Sequence, residues 1–399
     1  MLNGIKVLSF THFLQGPSAV QMLVDLGADV VKIESPKGAF ERHWSGFDAF
    51  VNDVSVFFLL GNRNQRSLSI DLRTKEGKEI IYRMVKEADV LVENFRPGVM
   101  DRLGFSYEAL KEINPRLVYC SCTGYGSEGP YLHRPGQDLL LQAISGLSLV
   151  SGGKDAPPTP VGSAIVDQHA AVLAAFGIVS SLLSREKTGQ GRKVESNLLN
   201  AALDLQIEPL TYYLNKGPLW ERSDLGSRFH QAPYGIYQTN DGWIAISMTP
   251  IEKLKKAFNN NELEQYTSQD QMEKREEVNQ IVSQVIKQKS TDYWFSAFED
   301  NDIWCSPVNS YEEVEKDPQV EWNKMIMTVN HPDAGQVRLL NHPVRYENHE
   351  LGVSQHPPRL GEHTIEVLHE YGYSEEEIEK FLQSGVVIEN QRKLERTGG

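Results

Sequence analysis

Cysteine is scarce in this chain: three residues in 399, an odd number. Three thiols cannot build a disulfide framework, and their scarcity points to a reducing compartment. Metal-binding patterns are missing too. There is no C-x-x-C, no H-x-x-x-H and no H-E-x-x-H, so no metal site is expected. Positive charge is in deficit: 40 Lys and Arg against 54 Asp and Glu leave a net charge of −14. Phosphate repels such a chain at long range, which excludes a general nucleic-acid binder. The longest weakly polar run, Ala170 to Leu183, is too short for a bilayer and rich in Ala, Gly and Ser. It reads as a buried helix. The opening MLNGIKVLSF lacks the apolar core and cleavage site of a secretory signal, so a cytoplasmic location is expected.

What is present is ordinary globular material. Hydrophobic residues make 40% and charged residues 24% of the chain, which excludes a disordered or fibrous protein. The length predicts two or three domains. Apolar runs at Ile5 to Phe10, Ala28 to Ile33, Ser67 to Leu72, Asp89 to Glu93 and Leu117 to Cys122 read as strands. Helical stretches separate them, among them Pro17 to Leu26 and Glu76 to Ala88, where Ile80, Ile81, Met84 and Val85 fall on one face. This rhythm predicts an α/β domain with a mostly parallel sheet, whose ligands bind beyond the carboxyl ends of the strands. After about residue 215 the character changes. Asp241-Gly242 between two apolar stretches predicts a hairpin. Residues 251 to 320 carry 8 Lys and Arg against 15 Asp and Glu, the acidic face of a separate α+β domain. The expected domains are 1–215, 216–330 and a segment 331–399 that returns to the first.

Gly124-Tyr-Gly126-Ser-Glu-Gly129 matches the dinucleotide fingerprint, but Pro130 and a polar stretch follow where a helix should open. A glycine-rich turn lining a pocket is the better reading. Cys120 and Cys122 lie two apart on a strand, so they share a face and read as buried structural residues. Asp167 ends the apolar approach Gly162 to Asp167 and precedes the Ala-rich helix. Such a carboxylate is either a helix cap or a nucleophile held on a tight turn. The segment Asn62 to Arg83 is locally basic, with Arg63, Arg66, Arg73, Lys75, Lys78 and Arg83, and Arg96 and Arg102 follow the next strand. Cations placed after parallel strands suit a phosphate-bearing cofactor. From the residues alone this is an α/β enzyme with a phosphorylated ligand and a nearby carboxylate.

A set of ordered motifs goes further. Leu26-Gly-Ala-Asp-Val-Val-Lys-Ile-Glu34, Asn62-Arg63-Asn64, Val92-Glu-Asn-Phe-Arg-Pro-Gly98, Asn114-Pro-Arg-Leu117 and Leu360-Gly-Glu-His-Thr364 run almost the whole chain at family-like spacing. In these it resembles the family III CoA-transferases, the CaiB/BaiF family. The resemblance implies a Rossmann-like large domain plus a smaller domain, in a ring-shaped chain that interlocks with a second copy as a homodimer. It implies transfer of CoA from an acyl-CoA to a free carboxylic acid, with CoA as co-substrate and no permanently bound cofactor. It places the nucleophile on Asp167, an acidic neighbour on Asp138, and Phe13 and Gln15 in the loop approaching the thiol. It places CoA contacts on Ile70, Arg73, Asn94, Phe95 and Arg102. No run of glycines precedes Ala232-Pro-Tyr234, where the formyl-CoA transferases of the family have a mobile loop, so the acceptor acid stays open.

Two other functions compete. The α-methylacyl-CoA racemases of the same superfamily carry a histidine directly before the aspartate that falls on Asp138. Here that residue is Gln137, and an amide cannot carry the second proton that racemisation needs. A non-enzymatic CoA-binding protein would keep the basic positions without needing Asp167.

Overall fold

The apolar runs of the first 200 residues pair as parallel strands. They are β1 (Lys6–Phe10), β2 (Asp29–Glu34), β3 (Arg66–Ile70), β4 (Val90–Glu93), β5 (Val118–Thr123) and β6 (Lys193–Asn197). A short C-terminal strand, Val387–Ile388, closes one edge antiparallel to β3. From that strand inward the order is β3-β2-β1-β4-β5-β6. The computed structural model describes residues 1–217, 222–227, 229–258, 261–347 and 351–390. Both sheet faces are covered, which is why these strands read as near-continuous apolar runs. Leu8, Phe10, Leu68, Ile70 and Leu91 face one core with Ile80, Ile81, Met84 and Val85 of α2 (Lys75–Val85). Val7, Val30, Val90, Val92, Cys120 and Cys122 face the other, against Ala171, Ala174 and Ile178.

The helices start where local chemistry predicts. The Thr74 side chain accepts the Gly77 N–H at 3.0 Å and caps α2. Ser374 and Glu377 form a reciprocal capping box before the helix Glu375–Ser384, which stops at left-handed Gly385. α1 (Gln15–Asp25) follows β1, and the short α3 (Val99–Leu103) follows β4. Further on come α4 (Asp138–Ile144) and α5 (Ile165–Thr188). The Ala-rich run is longer than its composition suggested. At 24 residues α5 is long and apolar enough to cross a bilayer, and one of its faces packs on the sheet through its alanines.

Contacts divide the chain into two units: 1–141, 163–205 and 321–399 form the first, 142–162 and 206–320 the second. This division differs from the expected boundaries at 215 and 330 and places residues 142–162 in the second unit. The reasons are specific. Lys154 N–H donates to Asp224 at 2.8 Å, Arg222 Nη1 to Pro157 O at 2.9 Å and Gln206 Nε2 to Ser145 O at 3.2 Å. The hairpin 326–340 belongs to the first unit because Arg63 Nη1 donates to Leu340 O at 2.8 Å and Val329, Val337 and Leu339 pack on Leu59. The second unit holds the expected hairpin, Gly235–Gln238 with Trp243–Ile246, extended by Cys305–Pro307 into a three-stranded antiparallel sheet. Tyr237, Ile244, Val282, Trp294 and Phe298 form its core.

Candidate active site

In an open parallel sheet the ligand crevice lies where the strand order reverses. Here that is the β1/β4 gap, since β2 and β3 lie to one side of β1 and β4, β5 and β6 to the other. The turn after β1 and the loop after β4 meet at this point. Asn94 accepts the His12 N–H at 2.9 Å and returns its own amide N–H to His12 O at 2.8 Å. A side chain at Gly16 would strike Thr11 Cβ at 2.8 Å and Asn94 Cγ at 3.0 Å, so only glycine lets α1 start beneath this clamp. Phe13 stands in the turn at φ +59°, a conformation rarely adopted by a bulky residue, and its ring is exposed.

Asp167 does not end a strand. It is the third residue of α5, whose N-cap, Ala164, offers no side-chain acceptor. Asp138 supplies the cap from the first turn of α4: the Val166 and Asp167 N–H groups donate to its Oδ2 at 2.7 and 3.0 Å. The glycine-rich turn makes this approach possible. A Cβ on Gly124 would lie 2.7 Å from Gly136 Cα, so the two backbones pack glycine against glycine and bring Asp138 in. Burial first, and the charge of Asp138 second, push the Asp167 carboxyl up to about 7. Near neutral pH it therefore exists in both forms, one nucleophilic and one not.

The remaining expected site residues divide. Arg102, on α3, is exposed and makes no ion pair or side-chain hydrogen bond among the described residues. Arg73 is exposed and pairs with Asp71 at 2.6 Å. Both guanidinium groups follow parallel strands at their carboxyl ends. Phe95 is half-buried, with its ring 5.3 Å from the His12 ring. Three more have partners or packing inside the chain. Ile70 is fully buried in the core at the carboxyl end of β3. Gln15 is 5% exposed and donates to Ser196 O at 3.3 Å, so it packs α1 against β6 rather than lining an open loop. The Asn94 side-chain amide makes two hydrogen bonds with the His12 backbone and holds the turn.

The cysteines are buried at 120 and 122, as their spacing predicts. The hydrogen bond to Cys120, then burial, holds the Cys122 thiol well above its ordinary value, and burial pushes Cys305 up to about 11. Neither is a thiolate near neutral pH. No group of three His, Cys, Asp or Glu that could hold a metal occurs among the described residues.

Sequence reasoning missed Glu93. It closes β4, accepts the Phe95 N–H at 3.0 Å and takes a hydrogen bond from the Ser121 hydroxyl. Burial pushes it up to about 7 against those two bonds. Its sequence signals were its place at a strand end and inside the motif Val92 to Gly98, directly before Asn94. A ring cluster also went unseen: Phe13 lies 5.2 Å from Phe40 and 6.3 Å from Trp44, and Trp44 lies 5.0 Å from Phe57.

Residues 2–364 match the model of CoA-transferase family III. The chain belongs to that family. Relatives agree over nearly the full length. It is 34% identical to the succinyl-CoA:glutarate CoA-transferase of Mus musculus, over 98% of this chain and 91% of that one. It is 33% identical to the formyl-CoA:oxalate CoA-transferase of Streptomyces coelicolor, over 97% and 99%. A CAIB/BAIF family protein from Brucella suis superposes with a TM-score of 0.82 at 30% identity, covering 93% of this chain and 99% of that one. This family III CoA-transferase is therefore an enzyme whose co-substrate is CoA, with acyl-CoA and carboxylate substrates.

Proposed function

We propose that the enzyme moves CoA between carboxylic acids through covalent intermediates on Asp167. The observation that carries this reading is the placement of Asp167: a carboxylate on the first turn of α5, its backbone fixed by Asp138, poised near 7. The Asp167 oxygen attacks the thioester carbonyl, the C–S bond breaks, and CoA leaves as thiolate from a mixed anhydride. The thiolate attacks the aspartyl carbonyl, and the donor acid departs as carboxylate. The acceptor carboxylate then attacks the aspartyl-CoA thioester and expels the thiolate again. Attack of the thiolate on the acceptor's acyl carbon yields the new acyl-CoA and restores Asp167. Every intermediate is an activated acyl group, so no step falls into a deep well.

Oxyanions need N–H donors. The first turn of α5 has none to spare: Ile165 donates to Ser163 O, Val166 and Asp167 to Asp138, and Gln168 to Ala164 O. The donors come from another part of the site. Arg102 and Arg73 supply charge for the CoA phosphates, and Phe95 an apolar surface. The working unit is a homodimer. Val172, Phe176, Val179 and Leu183 form an exposed apolar stripe along α5 at helical spacing, which a second chain would cover.

The test is direct. Enzyme incubated with acyl-CoA alone, then reduced with borohydride, should carry a modified Asp167 peptide by mass spectrometry. Deuterium uptake next to the thioester carbonyl, with that peptide unmodified, would overturn the transfer reading in favour of proton exchange.

A further inference from the structure

Lys32 lies in the middle of β2, flanked in register by Ser9 of β1 and Ser67 of β3. Its side chain and that of Glu41 are fully buried, with Nζ 3.5 Å from Glu41 Oε1. Taking two charges out of water is costly, and apolar replacements of such a pair are often neutral or stabilising. The pair is not saturated either, since Glu41 Oε2 and the nearby His12 Nδ1 are buried without a hydrogen-bond partner. Stability does not account for it.

Its contacts do. Lys32 Nζ donates to Thr11 O at 2.8 Å and so holds the turn after β1 from below. Asn94 holds the next residue from the side. Between these two clamps and α1 stands Phe13, whose positive φ persists only where the surroundings enforce it. Glu41 sits between Phe40 and Trp44, whose rings meet that of Phe13. We propose that the Lys32–Glu41 pair is a positioning device: it fixes the turn Thr11–Leu14 against the segment Phe40–Trp44, and so sets the wall that the acyl-CoA meets. The role in turnover rests on the Asp167 reading; the positioning itself does not.

The experiment compares Lys32→Met, the double variant Lys32→Met/Glu41→Leu, and Glu41→Gln. In each, melting temperature, hydrogen exchange of the peptide spanning residues 9–16 and the KM for acyl-CoA are measured. Lys32→Met should lower the melting temperature and speed exchange of that peptide. The double variant should regain stability, because no lone charge stays buried. Yet its peptide should still exchange about tenfold faster than wild type, since Thr11 O has lost its donor. Its KM should stay raised on the order of tenfold, with kcat less affected. Recovery of exchange and KM together with melting temperature would overturn the proposal. Glu41→Gln keeps the shape and guards against a double variant that fails to fold. It leaves the Lys32 charge without a counter-charge, so it should lower the melting temperature and speed exchange of the same peptide, and unchanged exchange would count against the positioning role. Exchange is read without chemistry, so failure of transfer at Asp167 remains a separate result.

Discussion

Two carboxylates in the first unit, buried Glu34 and half-buried Asp167, have opposite fates. Burial alone would raise Glu34, but Arg42 meets both of its oxygens at 2.7 Å and brings it down to about 2. Burial raises Asp167 as well, and its charged neighbour is Asp138, so it rises to about 7. One carboxylate has a guanidinium against it and ties the chain after β2 to Pro358 O through Arg42. The other has a like charge beside it and rises instead. The lesson is that burial makes a carboxylate consequential, and the sign of its nearest charge decides whether it serves structure or chemistry.

Removing Asp167 should break the comparison most. Asp167→Ala is expected to lower turnover by roughly a thousandfold or more, with the melting temperature nearly unchanged. Turnover and thermal unfolding measured on one preparation check this, and an active variant would leave Asp167 as no more than a helix residue. On the structural side, Arg42→Ala should cost about 3–5 kcal/mol by denaturant unfolding, because it strands a buried charge at Glu34. A loss below about 1 kcal/mol would mean that water reaches Glu34 freely.

The pH dependence sharpens the contrast. Folded Glu93 and Asp167 hold a proton up to about 7, whereas the unfolded chain releases it near the ordinary carboxylate value of 4.5 for Glu and 3.8 for Asp. Between those limits the folded state binds more protons. Their stabilisation is complete below the unfolded value and disappears as pH rises through about 7. For buried Glu93 the swing is roughly 3 kcal/mol, and Glu93→Gln should remove it from the stability–pH curve. Glu34 acts the other way, its contribution being lost only as pH falls toward about 2. Transfer should rise with pH along a limb centred near 7, as Asp167 ionises. The smallest effect belongs to Asp138→Asn. The amide oxygen still caps α5, so stability should change by less than about 1 kcal/mol. The acid limb should move down only in part, because burial outweighs the Asp138 charge at Asp167.

Much of the fold was legible because its signals are local. The strands β1 to β5 and the buried face of α2 follow from period and apolarity, and the hairpin at Asp241-Gly242 from turn chemistry. Cys120 and Cys122 were placed correctly by strand alternation alone. The start of α5 was misjudged because its signal is not local. Ala164 is no cap, and the acceptor that starts the helix comes from Asp138, more than twenty residues earlier in the chain. The second unit's claim on residues 142–162 rests on Asp224 and Arg222, again distant in sequence.

The order of residue types thus determined the elements, the family, the choice of Asp167 and Arg102 as residues to watch, and the expectation that chemistry lies beyond the strand ends. Folding in three dimensions decided which of the watched residues face outward. It sent Ile70 and Gln15 into the interior and gave Asn94 to His12. It also set the charges around each carboxylate. A residue's type fixes its ordinary proton affinity and its capacity for hydrogen bonds. Its actual state depends on burial and on charges a few ångströms away, carried by residues such as Arg42 beside Glu34 and Asp138 beside Asp167, and no periodicity along the chain encodes those distances.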